Sequence, residues 1–441
     1  MNQQPVARKQ PWTEPRDRFA EFAAKPYAVW LDTATGATGY SILAAGPSKI
    51  VRSKGSQTDI ITPTGTTHIE GNPFDILGEQ LAPHYHGTSG DFPLGAAIGY
   101  FGYDLKNFVE RLPAKAPDDI GLPDCWFGFY DNLLVFDHAK KEVWEVIGGS
   151  DSCRSSGRRP LTSSPSDHRS NFTRDSYRVA ILRAKQYIAA GDIYQVNLSQ
   201  RFQCGVDAAP TELYRALRES NPAPYCAYLD IGEAQILSSS PECFLNIHDR
   251  RVVTRPIKGT RPRGATIEED TRIATELLAS PKDNAELVMI TDLERNDLGR
   301  VCEFGSVQVS ELVRVETYAT VHHLVSTVEG RLRSDVSPVD CVRACFPGGS
   351  ITGAPKIRAM EIIDELEPHA RGVYTGAIGF LGYNGLTHLN VAIRTVVQQG
   401  RELTFHAGGG IVADSEPDAE YDETLVKAQG ILNAIKQLRL R

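Results

Sequence analysis

The segment RPIKGTRPRG, residues 255 to 264, sets Lys258 after the apolar pair Pro256 and Ile257 and before Gly259, with Arg255, Arg261 and Arg263 within five residues. Neighbouring cations and partial burial each lower an amine's pKa, and a lysine so placed is a nucleophile at neutral pH. The same residues also describe a basic turn that holds an anion. Sixteen residues upstream, SSSPECFL puts Glu242 at the end of a strand-like run, where a carboxyl serves as general acid and base or is an ordinary surface group.

Two acidic pairs suggest a second kind of chemistry. Ser280, Pro281 and Asp283 have the N-cap, N1 and N3 pattern of a helix start, and Glu286 falls one turn beyond Asp283. Asp283 therefore reads equally well as a capping residue. Glu286 lies beside Leu287, Val288 and Met289, a setting in which a carboxylate needs a partner, either a basic side chain or a metal. In AGGGIVADSEPDAEYDETLVKA, Ser415 is placed to cap a helix with Glu420, Glu423 and Lys427 on one face and a packing stripe of Leu425, Ala428, Leu432 and Ile435. Alone, such a face is usually just solvated. The triplet Gly408, Gly409 and Gly410 matches a phosphate loop only loosely, without the Walker lysine and serine. Two helices each offering carboxylates one turn apart suit a hard cation such as Mg2+, which takes one or two carboxylates and completes its shell with water and substrate oxygens.

His323 in ATVHHLVSTVEG and Tyr374 in GVYTGAIGF are polar groups in apolar, strand-like runs, and each by itself reads as a satisfied core residue. The chain has no Gly-x-Cys-x-Gly nucleophile, no nucleophile elbow with Ser-His-Asp order and no dinucleotide fingerprint, so glutaminase and dehydrogenase chemistry lack support.

The elements that must carry these groups are legible. Thr173 caps a helix in which Tyr177, Ile181, Ala184 and Ile188 recur at helical spacing and Gly191 ends the run. In IYQVNLSQRF, Tyr194, Val196, Leu198 and Phe202 share a packing face while Gln195, Asn197 and Ser199 share a polar one. LTHLNVAIRTVV alternates in the same way, Leu389, Val391 and Ile393 against Asn390, Ala392 and Arg394, before QQGRE turns the chain back. Antiparallel sheet is the expectation. Residues 1–148 are strand-rich (YAVWLD, YSILAAGP, LGAAIGYFGYDL, NLLVFDHAKKEVWEVIG), residues 149–171 form a polar linker or surface loop, and residues 172–441 mix helices and strands.

Composition narrows the class. With 441 residues, 41% hydrophobic and 23% charged, the chain buries a large core and is neither disordered, collagen-like nor a disulfide scaffold. Acidic residues outnumber basic ones, 55 to 47, for a net charge of −8, which argues against a nucleic-acid partner. Eight cysteines without a C-x-x-C pair indicate neither a zinc ribbon nor a redox motif and fit reduced thiols. The N-terminus lacks the apolar core of a signal peptide, and no run approaches the roughly 20 apolar residues of a membrane helix. A soluble cytoplasmic protein without a membrane partner is expected.

Together, IYQVNLSQRF, SSSPECFL, RPIKGTRPRG, KDNAELVMITDLERNDLGR, HHLVSTVEG, FPGGSITGAPKIRAM and HAGGGIVADSEPDAEYDET closely resemble, in order and spacing over residues 173–438, the chorismate-utilising enzymes. The resemblance implies an α+β fold, one large α/β sandwich of two packed antiparallel sheets with outer helices, to which both halves of the chain contribute. Two positions mark the branch. In the isochorismate and salicylate enzymes the position of Gln195 is a lysine that activates water, and glutamine cannot do so. Anthranilate synthases usually read PIAGT where this chain reads PIKGT, and Lys258 is the mark of the branch of folate synthesis that aminates chorismate at C4.

The implied reaction makes 4-amino-4-deoxychorismate: Lys258 adds at C2 as the C4 hydroxyl leaves with a proton from Glu242, and ammonia adds at C4 and expels the lysine. By the same correspondence Mg2+ is held by Glu286 and Glu423 with Asp283 and Glu420 in support. Tyr374 and Arg394 hold the enolpyruvyl carboxylate. Ser350 and the amides of Gly408, Gly409 and Gly410 surround the ring carboxylate, Gln195 and Lys427 lie beside the substrate, and His323 lies near its leaving side. Ammonia is expected from a separate glutamine amidotransferase subunit, and pyruvate elimination from another enzyme. Where anthranilate synthases carry the LLES element of their tryptophan site, this chain has Leu31-Asp32-Thr33, so tryptophan feedback is not expected. Anthranilate synthase component I is the alternative; a non-catalytic chorismate-binding subunit is opposed by the intact lysine, glutamates and histidine.

Overall fold

Strands such as Ala96–Phe101, Cys125–Tyr130 and Leu133–Asp137 are buried at every position, which a strand reaches only when both of its faces are covered. The computed structural model, which describes residues 5–35, 39–85, 87, 90–149, 152–153, 168–318 and 321–439, meets that demand with two stacked sheets of 12 strands each. Much of the polar segment 149–171 lies outside the described residues.

Every pairing is antiparallel, and both halves of the chain enter both sheets. In the first sheet, Val29–Asp32 pairs with Tyr225–Asp230, which leads through Gln235–Ser240, Thr395–Gln399 and Glu402–Ile411 to Gln195–Gly205. In the second, Ala96–Phe101 pairs with Ala377–Gly382, followed by Thr387–Val391, Cys243–His248, Arg251–Arg255, Val321–Arg331 and Ile257–Pro262.

Three apolar layers hold the stack. One lies between the sheets and joins Val29, Ile42, Ile98, Tyr100, Trp126, Ile236 and Val397. A second packs the helices Pro15–Ala23, Pro210–Ser220 and Pro417–Arg439 on the first sheet through Phe19, Leu213, Leu217, Ala428 and Ile435. The third joins the helices Pro73–Leu81, Arg174–Ala189, Pro338–Cys345 and Lys356–Leu366 to strands of both sheets. This is the expected sandwich with outer helices. Among the described residues no helix is long and apolar enough to cross a membrane.

Local signals hold at the helix starts. Thr173 and Ser176 form a reciprocal capping box at Arg174–Ala189, and Gly191, at φ +81°, ends that run. Ser280 caps Pro281–Gly299 by accepting from the Asp283 N–H. Ser415, in contrast, is not the N-cap of Pro417–Arg439; it stands one residue too early and donates its hydroxyl to Glu420 Oε1 at 2.6 Å. Two strand expectations also change. Tyr194 is 72% exposed and precedes its strand, while both faces of Gln195–Gly205 are buried, because a sandwich strand is covered by a sheet on one side and helices on the other. LTHLNVAIRTVV is two strands: Thr387–Val391 ends in the second sheet, the chain crosses with Arg394 at φ +50°, and Thr395–Gln399 begins in the first. Alternation continued through the crossing, which is why the run looked single.

Candidate active site

The strand Ile257–Pro262 lies along Val321–Arg331 with Lys258 opposite Leu324 and Thr260 opposite His323. The extra residue, Gly259, has φ +65°, so the strand bulges there, and bulges re-aim side chains. A Cβ at Gly259 would sit 3.0 Å from Asp283 Oδ1 and from Leu277 Cδ1. Lys258 Nζ donates to the Ser350 carbonyl at 3.2 Å. Burial pushes the amine's pKa down and Lys427 adds to this, against the opposing charges of Glu286, Glu242 and Glu423.

The arginines of the same segment do not take the part expected of them. Arg255 pairs with Glu316, Arg261 with Asp283 at 2.8 Å and Arg263 with Asp270 at 2.6 Å. Each guanidinium is matched by its own carboxylate, so burial, and not a surrounding of free cations, loosens the proton on Lys258. The same pairing leaves the turn without the free cations that an anion-binding reading requires.

Glu242 sits at the corner between Gln235–Ser240 and Cys243–His248, a corner fixed by Ser240 Oγ donating to the Val391 carbonyl at 2.6 Å and by the Val391 N–H donating to the Glu242 carbonyl at 3.0 Å. Burial pushes the Glu242 carboxyl up to about 7, against hydrogen bonds from the Ser350 hydroxyl and the Ile257 N–H and the charges of Lys258 and Lys427. A carboxyl that exchanges its proton near neutrality suits general acid and base work.

Three of the four acidic candidates meet. Burial raises Glu286, with Asp283 and Glu423 adding to the rise and Lys258 and Lys282 opposing it. Burial also acts on Glu423, but Lys427 at 2.7 Å, with Lys258 and Lys282, outweighs it and holds that carboxyl below its ordinary value. Glu420 and Glu423 flank Gly409, whose Cβ would come within 3.3 and 3.5 Å of their oxygens. Asp283 is turned toward Arg261. Among the described residues no group of three or more His, Cys, Asp or Glu is spaced to hold a metal through protein atoms alone. Mutually opposed carboxylates such as Glu286 and Glu423 still fit a cation that takes few protein ligands and completes its shell elsewhere.

Gly408, Gly409 and Gly410 pair with Ser199, Leu198 and Asn197. A Cβ on Gly408 would lie 2.4 Å from the Leu198 carbonyl oxygen, and one on Gly410 2.6 Å from Gln195 Nε2, so the strands approach too closely for side chains. The neighbouring strand Thr395–Gln399 pairs no further than Phe405, so among the described residues no strand flanks the glycines on that side, and the Gly408 carbonyl accepts from Lys427 Nζ at 3.0 Å. Both amide atoms of Gln195 and Oδ1 of Asn197 are buried without a hydrogen-bond partner. Buried polar atoms are normally paired, and these three are not.

His323 Nδ1 lies 2.8 Å from Thr260 Oγ1, and the ring also hydrogen-bonds the Gly259 backbone, which favours its protonated form. Burial and the charge of Arg394 push this imidazole down to about 4, so it is neutral. Arg394 Nη1 donates to Asn221 Oδ1 at 3.1 Å, and among the described residues no carboxylate pairs with it although it is half-buried. Tyr374 is stacked on His406, centroids 4.9 Å apart, and its charged neighbours are Arg371 and Glu367 and not the Lys258 group. Lys258, Glu242, Ser350, Glu286, Glu423, Lys427, Gln195 and the glycines thus form one contiguous set; His323 and Arg394 adjoin it through Gly259, and Tyr374 adjoins it through Arg371, whose guanidinium lies 5.6 Å from its ring centroid.

Some members were not anticipated. Asn197 was signalled only by its place on the polar face of its strand. Arg371, fully buried, donates to Glu367, to the Ile351 carbonyl at 3.0 Å and to the Asn197 carbonyl at 2.8 Å, tying the Ser350 turn to the Gln195 strand with no local pattern to announce it. A cavity of about 490 Å3 lies away from this set, lined by Asp32, Tyr40, Tyr225 and His388; its Asp32 carboxylate is already paired with Arg218 and accepts from Ser41 Oγ at 2.9 Å.

Comparison with known proteins agrees with this geometry. A family described as chorismate binding enzyme matches residues 26–433. Anthranilate synthase component 1 of Thermus thermophilus is 44% identical, with 90% of this chain and 89% of that protein covered. Aminodeoxychorismate synthase component 1 of Salmonella typhimurium is 42% identical, with 95% of each covered. Among solved structures, anthranilate synthase component I of Streptococcus pneumoniae superimposes with a TM-score of 0.78 at 36% identity, covering 89% of this chain and 92% of that one. The menaquinone-specific isochorismate synthase of Escherichia coli shares the fold at 18% identity and a TM-score of 0.75, covering 98% and 94%.

Proposed function

The chain belongs to the family of chorismate-binding enzymes, and from that membership we propose that it aminates chorismate at C4, the reaction of aminodeoxychorismate synthase component 1. The observation that carries the choice is Lys258 itself, a half-buried amine of lowered pKa in PIKGT, 3.2 Å from the Ser350 carbonyl and facing Glu242.

Lys258, as the free amine, adds through Nζ to C2 of chorismate. The electron pair of the ring moves toward C4 and the C4–O bond breaks. Protonated Glu242 gives its proton to the departing hydroxyl, which leaves as water, and the new secondary ammonium loses a proton to restore Glu242. Ammonia then attacks C4 as the pair returns toward C2 and the C2–N bond breaks; Glu242 returns its proton to the departing Lys258 nitrogen and takes one from the new C4 ammonium, so the lysine and the protonated carboxyl are regenerated and 4-amino-4-deoxychorismate is released. Arg394, half-buried and without a carboxylate among the described residues, offers a guanidinium to a substrate carboxylate. The unpaired amide atoms of Gln195 and Asn197 supply neutral hydrogen-bonding groups around the ring. Mg2+ would be held by Glu286 and Glu423, with Glu420 and Asp283 behind them, and when bound it supplies positive charge against the ring carboxylate. Ammonia comes from a separate glutamine amidotransferase subunit.

A second reading, anthranilate synthase component 1, rests on the 44% identity to the Thermus thermophilus protein. Incubating the purified chain with chorismate, Mg2+ and ammonium, and identifying the product by chromatography and mass, separates the two. The expected product is 4-amino-4-deoxychorismate, reduced at least about 1000-fold in Lys258→Ala. Anthranilate with pyruvate would overturn the proposal.

A further inference from the structure

Behind Ser350 lies an acidic pair to which the amination scheme gives no part. Glu294 and Asp297, one turn apart on the helix Pro281–Gly299, are each 3% exposed. Asp297 has its own counter-charge: Lys356 Nζ donates to Asp297 Oδ2 at 2.5 Å and to the carbonyls of Cys345 and Pro347 at 3.1 and 2.9 Å. Glu294 has another partner. Its Oε1 accepts from the Gly349 N–H at 3.1 Å, and its Oε2 lies 3.4 Å from Thr254 Oγ1. A Cβ on Gly349 would sit 2.6 Å from Leu293 Cδ2, so the turn lies flush on the helix at this point. Burial and the neighbouring Asp297 push Glu294 upward, which keeps it a neutral acid in a dry setting.

Gly349 opens the one-turn helix Gly349–Ile351, whose Ser350 carbonyl receives Lys258 Nζ and whose Ser350 hydroxyl bonds Glu242. We propose that Glu294 is a positioning residue for the amination, holding the Gly349 N–H and through it the Ser350 turn, and so setting where the Lys258 amine and the Glu242 carboxyl stand. The proposal rests on the roles given to Lys258 and Glu242 above. An apolar residue would fill the same space but leave the Gly349 amide unpaired in the interior, and the turn would tip toward any other acceptor. The same helix presents Glu286 near its start and Glu294 in its second half, so one rigid rod carries both the acidic face and the brace for the nucleophile.

The test uses the full chain with Glu294→Ala, Glu294→Gln and, as a packing control on the same turn, Leu293→Ala. Lys258 reactivity is read without substrate, as the rate of labelling by a trace amine acylating reagent followed by peptide mass spectrometry across pH. Ammonia-dependent turnover gives kcat and the chorismate KM. Glu294→Ala is expected to lose up to about 100-fold in kcat with KM little changed and to shift the pH dependence of Lys258 labelling. Glu294→Gln, which keeps an acceptor for the Gly349 N–H, stays near wild type, and Leu293→Ala loses thermal stability but not kcat. Unchanged labelling and kcat in Glu294→Ala, or equal losses in the alanine and glutamine variants, would overturn the proposal. Should the alanine variant fail to fold, Glu294→Met fills the space without an acceptor and carries the same expectation. A wild-type chain that does not aminate chorismate would refute the proposed function, while the labelling still decides the part played by Glu294.

Discussion

Glu423 and Lys427 form a 2.7 Å ion pair one turn apart on the last helix, and the same lysine donates to the Gly408 carbonyl at 3.0 Å. Lys427 therefore keeps Glu423 ionised and anchors its helix to the glycine edge of the sheet. It is also a ready counter-charge for the acidic face, one that a divalent ion has to displace from Glu423.

That competition bears on metal dependence. Chelation of divalent cations is expected to abolish amination and Mg2+ to restore it. Glu286→Gln and Glu423→Gln should each raise the Mg2+ concentration at half-maximal rate by at least about 10-fold. Full activity of the wild type in excess chelator would refute the metal assignment.

Glu242 links catalysis to stability through pH. Its carboxyl is raised from an ordinary 4.5 to about 7 by burial. Below 4.5 both folded and unfolded chains hold the proton, so the full stability is present. As pH climbs through the window from 4.5 to 7 the unfolded chain ionises first, and stability falls by an amount on the order of 3 kcal/mol before levelling off. Glu242→Gln should flatten this part of the pH dependence of Tm while lowering kcat by about 100- to 10,000-fold. Thermal melts at pH 5 and 8 decide it; the same slope in both proteins would count against a buried neutral Glu242.

Arg394 is a half-buried guanidinium without a carboxylate among the described residues. Arg394→Lys retains the charge but not the planar fork, and the chorismate KM should rise about 10-fold or more with a smaller change in kcat. Steady-state kinetics with chorismate varied at saturating ammonium measures both. A KM equal to wild type would remove Arg394 from substrate binding.

Tryptophan is expected to leave the rate unchanged at millimolar concentration. An amino acid's ammonium group seeks a free carboxylate, and Asp32 is already matched by Arg218 and Ser41. Inhibition of the wild-type chain by tryptophan would show the opposite.

Periodicity and capping chemistry made the helices at 174–189 and 281–299 legible, because both are decided by residues within a turn or two. The candidate lysine and glutamates were legible for the same reason, as unusual residue types in apolar or glycine-rich settings. The error about the arginines came from counting charges along the chain, when Glu316, Asp283 and Asp270 reach them from other elements. The strand crossing at Ala392 to Arg394 escaped because alternation is the same whether the next partner lies in one sheet or the other. Arg371 and Glu294 were invisible for want of any local pattern; each is defined by backbone groups that only the tertiary structure brings near.

Val29–Asp32 and Ala96–Phe101 are interior strands, hydrogen-bonded on one side to Tyr225–Asp230 and Ala377–Gly382 from the site-bearing half. Cutting the chain between the halves would thus bare two long, apolar strand edges at once, each a template for pairing with other molecules. The catalytic segments expressed by themselves should precipitate and not fold, and activity should return only when the missing N-terminal strands are supplied during refolding.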